Sequence, residues 1–244
     1  MHVYWMEQTE TDVPADDLWL SKSERLCLSG LRFSKRRNDW KLGRWTAKQT
    51  LALRLGLPTR SSLLAKIEIR PAASGAPLLF FEDKHAAVTI SLSHRNGRAV
   101  SVLASASVQL GCDLELTEPH SEAFVADYFT QEEQRLVAEA SATDQSRLLA
   151  VIWSAKESAL KALHMGLRLD TRAVIVELIE NDDLSGWRPL RVRYTEGSTF
   201  DGWWRSLHGS IFTLVANPSP DLPIFSGIPA YPLGCDFTFA LEEA

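Results

Sequence analysis

The strongest constraint on the fold is a motif that occurs twice. Trp45-Thr46-Ala47-Lys48-Gln49-Thr50 is echoed by Trp153-Ser154-Ala155-Lys156-Glu157-Ser158, with each position identical, hydroxyl for hydroxyl, or amide for acid. Both segments run on through Leu and Ala to a glycine able to close a helix, at Leu55-Gly56-Leu57 and Met165-Gly166-Leu167. Further along, Ser74-Gly75-Ala76-Pro77-Leu78 is answered by Ser185-Gly186-Trp187-Arg188-Pro189-Leu190. Two matches in the same order, each followed by strand-like sequence, imply an internal duplication. Two copies make a pair of lobes rather than a solenoid.

Within each half a long helix precedes strands. Helical periodicity covers 39–55 in the first half and about 145–165 in the second, the latter preceded by the capping box Thr130-Gln131-Glu132-Glu133. Strand patterns fall at 66–70, 77–81, 88–93 and 99–104, then at 173–179, 189–194 and 210–216. The expected class is therefore α/β (α+β), with two pseudo-symmetric lobes and an active site in the cleft between them. The expected divisions are 1–107, 108–217 and a proline-rich tail, 218–244, that wraps the surface as a loop.

Composition narrows the function. The 244 residues carry 26 Lys plus Arg against 31 Asp plus Glu, a net charge of −5, which argues against a surface that coats nucleic acid. The three cysteines, Cys27, Cys112 and Cys235, have no metal-ligand spacing and are expected as reduced thiols. The opening Met1-His2-Val3-Tyr4-Trp5 lacks a basic-then-apolar leader, and no apolar run reaches the roughly 18 residues of a membrane helix. The expectation is a soluble cytoplasmic protein that touches neither membrane nor nucleic acid.

Three carboxylates stand at telling spacings. In Gln109-Leu110-Gly111-Cys112-Asp113-Leu114-Glu115-Leu116, alternation puts Leu110, Cys112, Leu114 and Leu116 on one strand face and Asp113 with Glu115 on the other. Adjacent like charges call for a cation or a shared proton, unless they simply line a solvated face. On the second helix Trp153, Glu157, Leu160 and Lys161 share a stripe, whereas the first copy has the neutral Gln49 where Glu157 stands. Together Asp113, Glu115 and Glu157 form an oxygen-only set suited to Mg²⁺ or Mn²⁺ completed by water and phosphate. The bland reading is an intrahelical Glu157–Lys161 ion pair. A metal-dependent nuclease would place Glu-x-Lys on a strand, not four apart on a helix. Basic residues gather at Arg32, Lys35, Arg36 and Arg37 and along Lys41, Arg44 and Lys48, while Ser93-His94-Arg95 ends a strand as a plausible anion cradle.

In this order the residues resemble the 4′-phosphopantetheinyl transferases of the larger, two-lobed Sfp type. The resemblance rests on Ser93-His94, on Gly111-Cys112-Asp113-Leu114-Glu115 and on the run from Trp153 through Lys156-Glu157 to Lys161. It implies transfer of the phosphopantetheine arm of coenzyme A, the co-substrate, to a serine of an acyl or peptidyl carrier protein, releasing 3′,5′-ADP. It further implies Mg²⁺ held by Asp113, Glu115 and Glu157, with Asp113, Glu157 and Lys161 catalytic and Glu157 a base for the carrier serine. Arg25, Arg44, Ser93, His94, Lys156 and Lys161 would meet coenzyme A. One departure stands out: the family commonly has Gly-Lys-Pro where this chain reads Gly75-Ala76-Pro77, leaving Arg70 or the Arg36–Arg37 pair as substitutes. The same departure would suit a non-catalytic descendant that binds coenzyme A or a carrier without transfer. With the cleft formed inside one chain, a monomer is expected.

Overall fold

A computed structural model of the chain describes residues 1–180 and 185–227. In order it contains β1 (Tyr4–Thr9), α1 (Lys22–Ser29), α2 (Ser34–Arg54), α3 (Ser61–Leu64), β2 (Ile67–Pro71), β3 (Pro77–Phe81), β4 (Lys84–His85), β5 (Val88–Arg95), β6 (Arg98–Ser105) and β7 (Gln109–Leu116). There follow α4 (Glu122–Tyr128), α5 (Gln131–Glu139), α6 (Ala142–Ala162), β8 (Val174–Leu178), β9 (Arg188–Tyr194), β10 (Thr199–Leu207), β11 (Ser210–Asn217) and β12 (Ile224–Phe225). This is the mixed α/β architecture expected. Among the described residues no helix is long and apolar enough to cross a membrane.

The chain divides into two compact units. One is Gln109–Leu222 with Met1; the other is His2–Val108 with the chain from Pro223. In the later unit five antiparallel strands run in the order β7-β11-β10-β9-β8. Helix α6 lies on this sheet through Leu149, Ile152, Ala155, Ala159 and Ala162, all nearly or wholly buried with Phe200, Ile211 and Val215. The many alanines keep the helix close to the strands. Each large aliphatic chain so buried contributes about 1.5–3 kcal/mol.

The earlier unit repeats the element order. Strands β12-β1-β6-β5 form one sheet and β2-β3-β4 another, with β3 beside β5. Helix α2 packs on them through Trp45, Ala47, Leu51 and Ala52, with Trp19 edge-on to Trp45. Strand registers align the units residue by residue. In the earlier unit Met6 pairs with Ser101, whose hydroxyl bonds Thr50 of α2. In the later one Asp113 pairs with Thr213, whose hydroxyl bonds Ser158 of α6 at 2.7 Å. The second sequence echo precedes the second of two antiparallel strands in both units, β3 after β2 and β9 after β8, with positive φ at Gly75 (90°) and Gly186 (81°).

Several boundaries differ from the sequence reading. Helix α2 begins at Ser34, five residues early, because Phe33 serves as N-cap without a side-chain bond and leaves no polar signal. Helix α6 stops at Ala162 rather than near Met165, since His164 takes the left-handed conformation (φ 57°) that glycine usually supplies. The tail is not all loop: Ile224–Phe225 adds a parallel strand to β1, with Phe225 against Trp5 at 4.8 Å. The remainder of the expected tail, from 228 to 244, lies outside the described residues, as does Cys235; Cys27 and Cys112 are in no disulfide among the described residues.

Candidate functional site

Gly111 is where the site begins. A Cβ placed there would stand 1.8 Å from the Ser158 carbonyl oxygen and 2.8 Å from the Ala162 nitrogen, so bare backbone lets β7 press against α6. Asp113 and Glu115 follow at i+2 and i+4 on that same helix-facing side. Asp113 is nearly buried, and Lys161 of α6 donates to its Oδ1 at 2.8 Å and to the Cys112 carbonyl at 3.0 Å. The intrahelical Glu157–Lys161 pair is therefore not the arrangement adopted. Strand and helix are bridged instead.

Glu157 sits one helical turn before Lys161, half-buried. Its Oε1 is buried without a hydrogen-bond partner among the described residues. Burial first, and the nearby Asp113 carboxylate second, push the Glu157 pKa above the ordinary carboxylate range, against the pull of Lys161. Lys161 is shifted upward: burial opposes its charge, but Asp113, Cys112 and Glu157 together outweigh that. The cluster is two crowded carboxylates sharing one ammonium.

The stripe that carries Glu157 lies at the rim of the α6 contact, not in its middle. Trp153, Glu157 and Lys161 are half-buried, while Ser154, Ala155, Ser158 and Ala159 face the sheet fully buried. Trp153 meets Phe124 (5.0 Å) and Tyr128 (5.2 Å) from α4, and His120 stacks on Phe124 at 4.4 Å.

An orphaned carboxylate oxygen beside a second carboxylate fits a divalent cation. Among the described residues, however, no three His, Cys, Asp or Glu side chains converge to hold an ion. Glu115, two residues along the strand and less buried, does not close the expected three-carboxylate cage. Asp113 and Glu157 would suit Mg²⁺ in its usual form, one or two carboxylates with water and substrate phosphate filling the shell.

Lys156 is misplaced for the cofactor contact expected of it. It is fully buried, with its three donors directed at Glu133 (2.9 Å), the Thr171 carbonyl (2.9 Å) and the Val174 carbonyl. A side chain so satisfied has nothing left to offer a ligand. Its copy Lys48 is equally buried, bound by Glu24 and the Trp19 and Leu64 carbonyls. Lys48 therefore leaves the basic helix face read from the sequence. Lys41 is paired with Asp17, and Arg37 donates to the Leu28 and Leu31 carbonyls. Arg70 is bound by Glu68 and Asp83, which raise its pKa. Neither Arg37 nor Arg70 is a loose cation ready to replace a lysine at Ala76.

Arg44 is different. It is half-buried with its guanidinium over Trp40 at 4.5 Å, and its Nε is buried without a hydrogen-bond partner among the described residues. Burial lowers its pKa despite Glu24 and Cys27. Ser93 and His94 end β5, half-buried and exposed respectively, and Arg25 is exposed on α1 with one donor on the Leu20 carbonyl.

The earlier unit supplies a comparison within the chain. By register, Tyr4, Met6 and Gln8 of β1 correspond to Gly111, Asp113 and Glu115. On the helices Gln49 and Leu53 correspond to Glu157 and Lys161. Every charge of the cluster is neutral there, and Tyr4, over which Arg54 lies at 4.5 Å, stands where the later unit has Gly111. The scaffold folds without the charges, so the charges are not what holds the scaffold together.

The duplicated α/β scaffold thus concentrates an acidic pair and a lysine in one copy only. Residues 109–208 match the model of the 4′-phosphopantetheinyl transferase superfamily. No curated protein matches the chain. Similar solved structures include a holo-(acyl-carrier-protein) synthase from Bacillus anthracis in complex with CoA (3′,5′-ADP), at 22% identity over 42% of this chain and 92% of that one, TM-score 0.36. The holo-[acyl-carrier-protein] synthase of Helicobacter pylori, in complex with coenzyme A, is 16% identical over 42% and 98%, TM-score 0.34. That of Thermotoga maritima is 22% identical over 53% and 74%, TM-score 0.34.

Proposed function

We propose that the protein is a Mg²⁺-dependent 4′-phosphopantetheinyl transferase of the two-lobed Sfp type. It moves the phosphopantetheine arm of coenzyme A to a serine of an acyl or peptidyl carrier protein and releases 3′,5′-ADP. The observation that carries this reading is the Asp113–Glu157–Lys161 cluster inside a segment that matches the superfamily. Mg²⁺, when bound, neutralises charge on the transferred phosphoryl group. Asp113 and Glu157 hold it, with Glu115 in line on the same strand face. Glu157, its pKa raised by burial, takes the proton of the carrier serine. Lys161 keeps its charge and faces the negative charge that grows on the phosphates. Ser93, His94, Arg44 and Arg25 meet the nucleotide's phosphates, the buried Nε of Arg44 having no hydrogen-bond partner among the described residues.

Intact-protein mass spectrometry of an apo carrier protein incubated with the protein, coenzyme A and Mg²⁺ tests this. The expected result is a gain of one phosphopantetheine arm, lost on chelation and with Glu157→Gln. No gain with fatty-acid, polyketide and peptide-synthetase carriers would refute it. Coenzyme A that still bound would then favour the second reading, a non-catalytic descendant. That reading draws on Ala76 and on the internal engagement of Arg70 and Arg37.

A further inference from the structure

Lys156 and Glu133 form the centre of a buried post. Glu133 is N3 of α5, and its Oε2 accepts the Thr130 backbone N–H (2.8 Å) to complete the capping box. Its Oε1 accepts the Val176 N–H of β8 at 3.0 Å, and Lys156 of α6 lies on Oε2. Lys156 adds the Thr171 and Val174 carbonyls. One ion pair thus ties α5, α6 and the β8 edge of the sheet together. The earlier unit builds the same post: Glu24 caps α1, accepts the Ile69 N–H of β2 at 3.2 Å and binds Lys48.

The two posts differ in what stands beside them. Along α6, Lys156 pins the helix to β8, one edge of the sheet. Lys161 reaches the Cys112 carbonyl on β7, the opposite edge, and Ser154 and Ser158 bond Thr213 on β11 between them. Three attachments spread across the sheet fix the roll of α6 about its axis. Glu157, next in sequence to Lys156, takes its direction from that roll. Beside Lys48 stands Gln49, and the strand residue that corresponds to Asp113 is the neutral Met6.

We infer that Lys156, with Glu133, is a positioning residue for the transfer reaction: it sets the roll of α6 that brings Glu157 and Lys161 to Asp113, whereas Lys48 with Glu24 serves stability alone. The inference rests on the transferase reading above. Equal chemistry in the two posts supplies the control, because losing either lysine leaves one buried carboxylate without its cation.

The experiment compares Lys156→Met with Lys48→Met, measuring urea stability, transfer kinetics per folded molecule, and Mn²⁺ affinity by electron paramagnetic resonance. Both variants are expected to lose similar stability. Lys156→Met should lose about 100-fold in kcat, the scale of a 1 Å misplacement, with KM for coenzyme A unchanged and Mn²⁺ binding weakened. Lys48→Met should keep kcat and Mn²⁺ affinity within a factor of about two. If either methionine variant fails to fold, Glu133→Gln against Glu24→Gln is read by the same criteria. Parental protein that transfers, together with equal kcat in the two variants, overturns the inference and leaves the transferase reading intact. Parental protein that neither transfers nor binds Mn²⁺ overturns the transferase reading and the positioning role with it.

Discussion

Replacing Gly111 with alanine adds one methyl group, and the structure says where it must go. The new Cβ would lie 1.8 Å from the Ser158 oxygen, with Ser158 C and Ala162 N both at 2.8 Å. All three are backbone atoms of α6, so no side chain can rotate aside. Carbon and oxygen in contact need about 3.3–3.6 Å, hence strand and helix must part by roughly 1.5 Å. Overpacking a well-filled interface costs about 1–3 kcal/mol and more where the obstacle is rigid, so about 3 kcal/mol is expected here. For a chain of this size that lowers the Tm by about 6–12 °C. The same displacement pulls Asp113 from Lys161, so transfer should fall in parallel. Gly43→Ala in α2 is the matched comparison. A Cβ there meets nothing within 4 Å, and alanine in a helix interior gains about 0.5–1 kcal/mol over glycine. Chemical denaturation of both variants gives the answer. Gly111→Ala within 1 kcal/mol of the parent would refute the claim that bare backbone at this position sets the strand–helix spacing.

Other expectations follow from the site and its surroundings. Glu157→Gln should raise stability by about 1 kcal/mol at neutral pH, the scale of an unsatisfied buried group. Because the folded pKa is raised, the cost of the native carboxylate is absent below the ordinary carboxylate range, grows as pH rises above that ordinary value and is complete once the folded value is passed. The gain should therefore shrink in acid melts, and a pH-independent gain would contradict the assignment. Asp170, drawn down from 3.8 to about 2 by Arg172, contributes stability above its ordinary pKa that is lost as pH falls toward 2. The pair is exposed, so Asp170→Asn should cost under about 1 kcal/mol at pH 7 by thermal denaturation. Charge reversal at Arg36, exposed at the start of α2, should raise KM for an acidic carrier and leave coenzyme A affinity unchanged in steady-state assays. Reversal at Arg37 should instead lower the Tm, since its guanidinium holds the Leu28 and Leu31 carbonyls.

Much of this was legible from residue order. The Trp-x-x-Lys echoes announced the duplication, and alternation in β7 put Asp113 and Glu115 on one face. Other elements hid their signals. Strand β1 carries Glu7 and Gln8, β10 contains Asp201 and Gly202, and α4 is only seven residues long. Each is stabilised by neighbours far along the chain rather than by local pattern. Helix α1 did carry a sign, the capping box Ser21 to Glu24. The buried lysines could not be recognised one at a time, because a lysine in sequence reads as surface and only its three partners, up to 29 residues away for Lys48, make burial affordable. The role of Gly111 had a hint, a lone glycine inside a strand, but its meaning lies in Ser158 and Ala162.

Tyr4 and Gly111 occupy one position in two copies of a scaffold, and that single difference bears on how such a site is transplanted. Writing Asp, Glu and Lys onto Met6, Gln49 and Leu53 would copy the letters of the cluster while a tyrosine stayed where the other copy has the bare backbone that β7 needs against α6. A designer would have to remove the ring first, and only then would new charges lie close enough to act on one another.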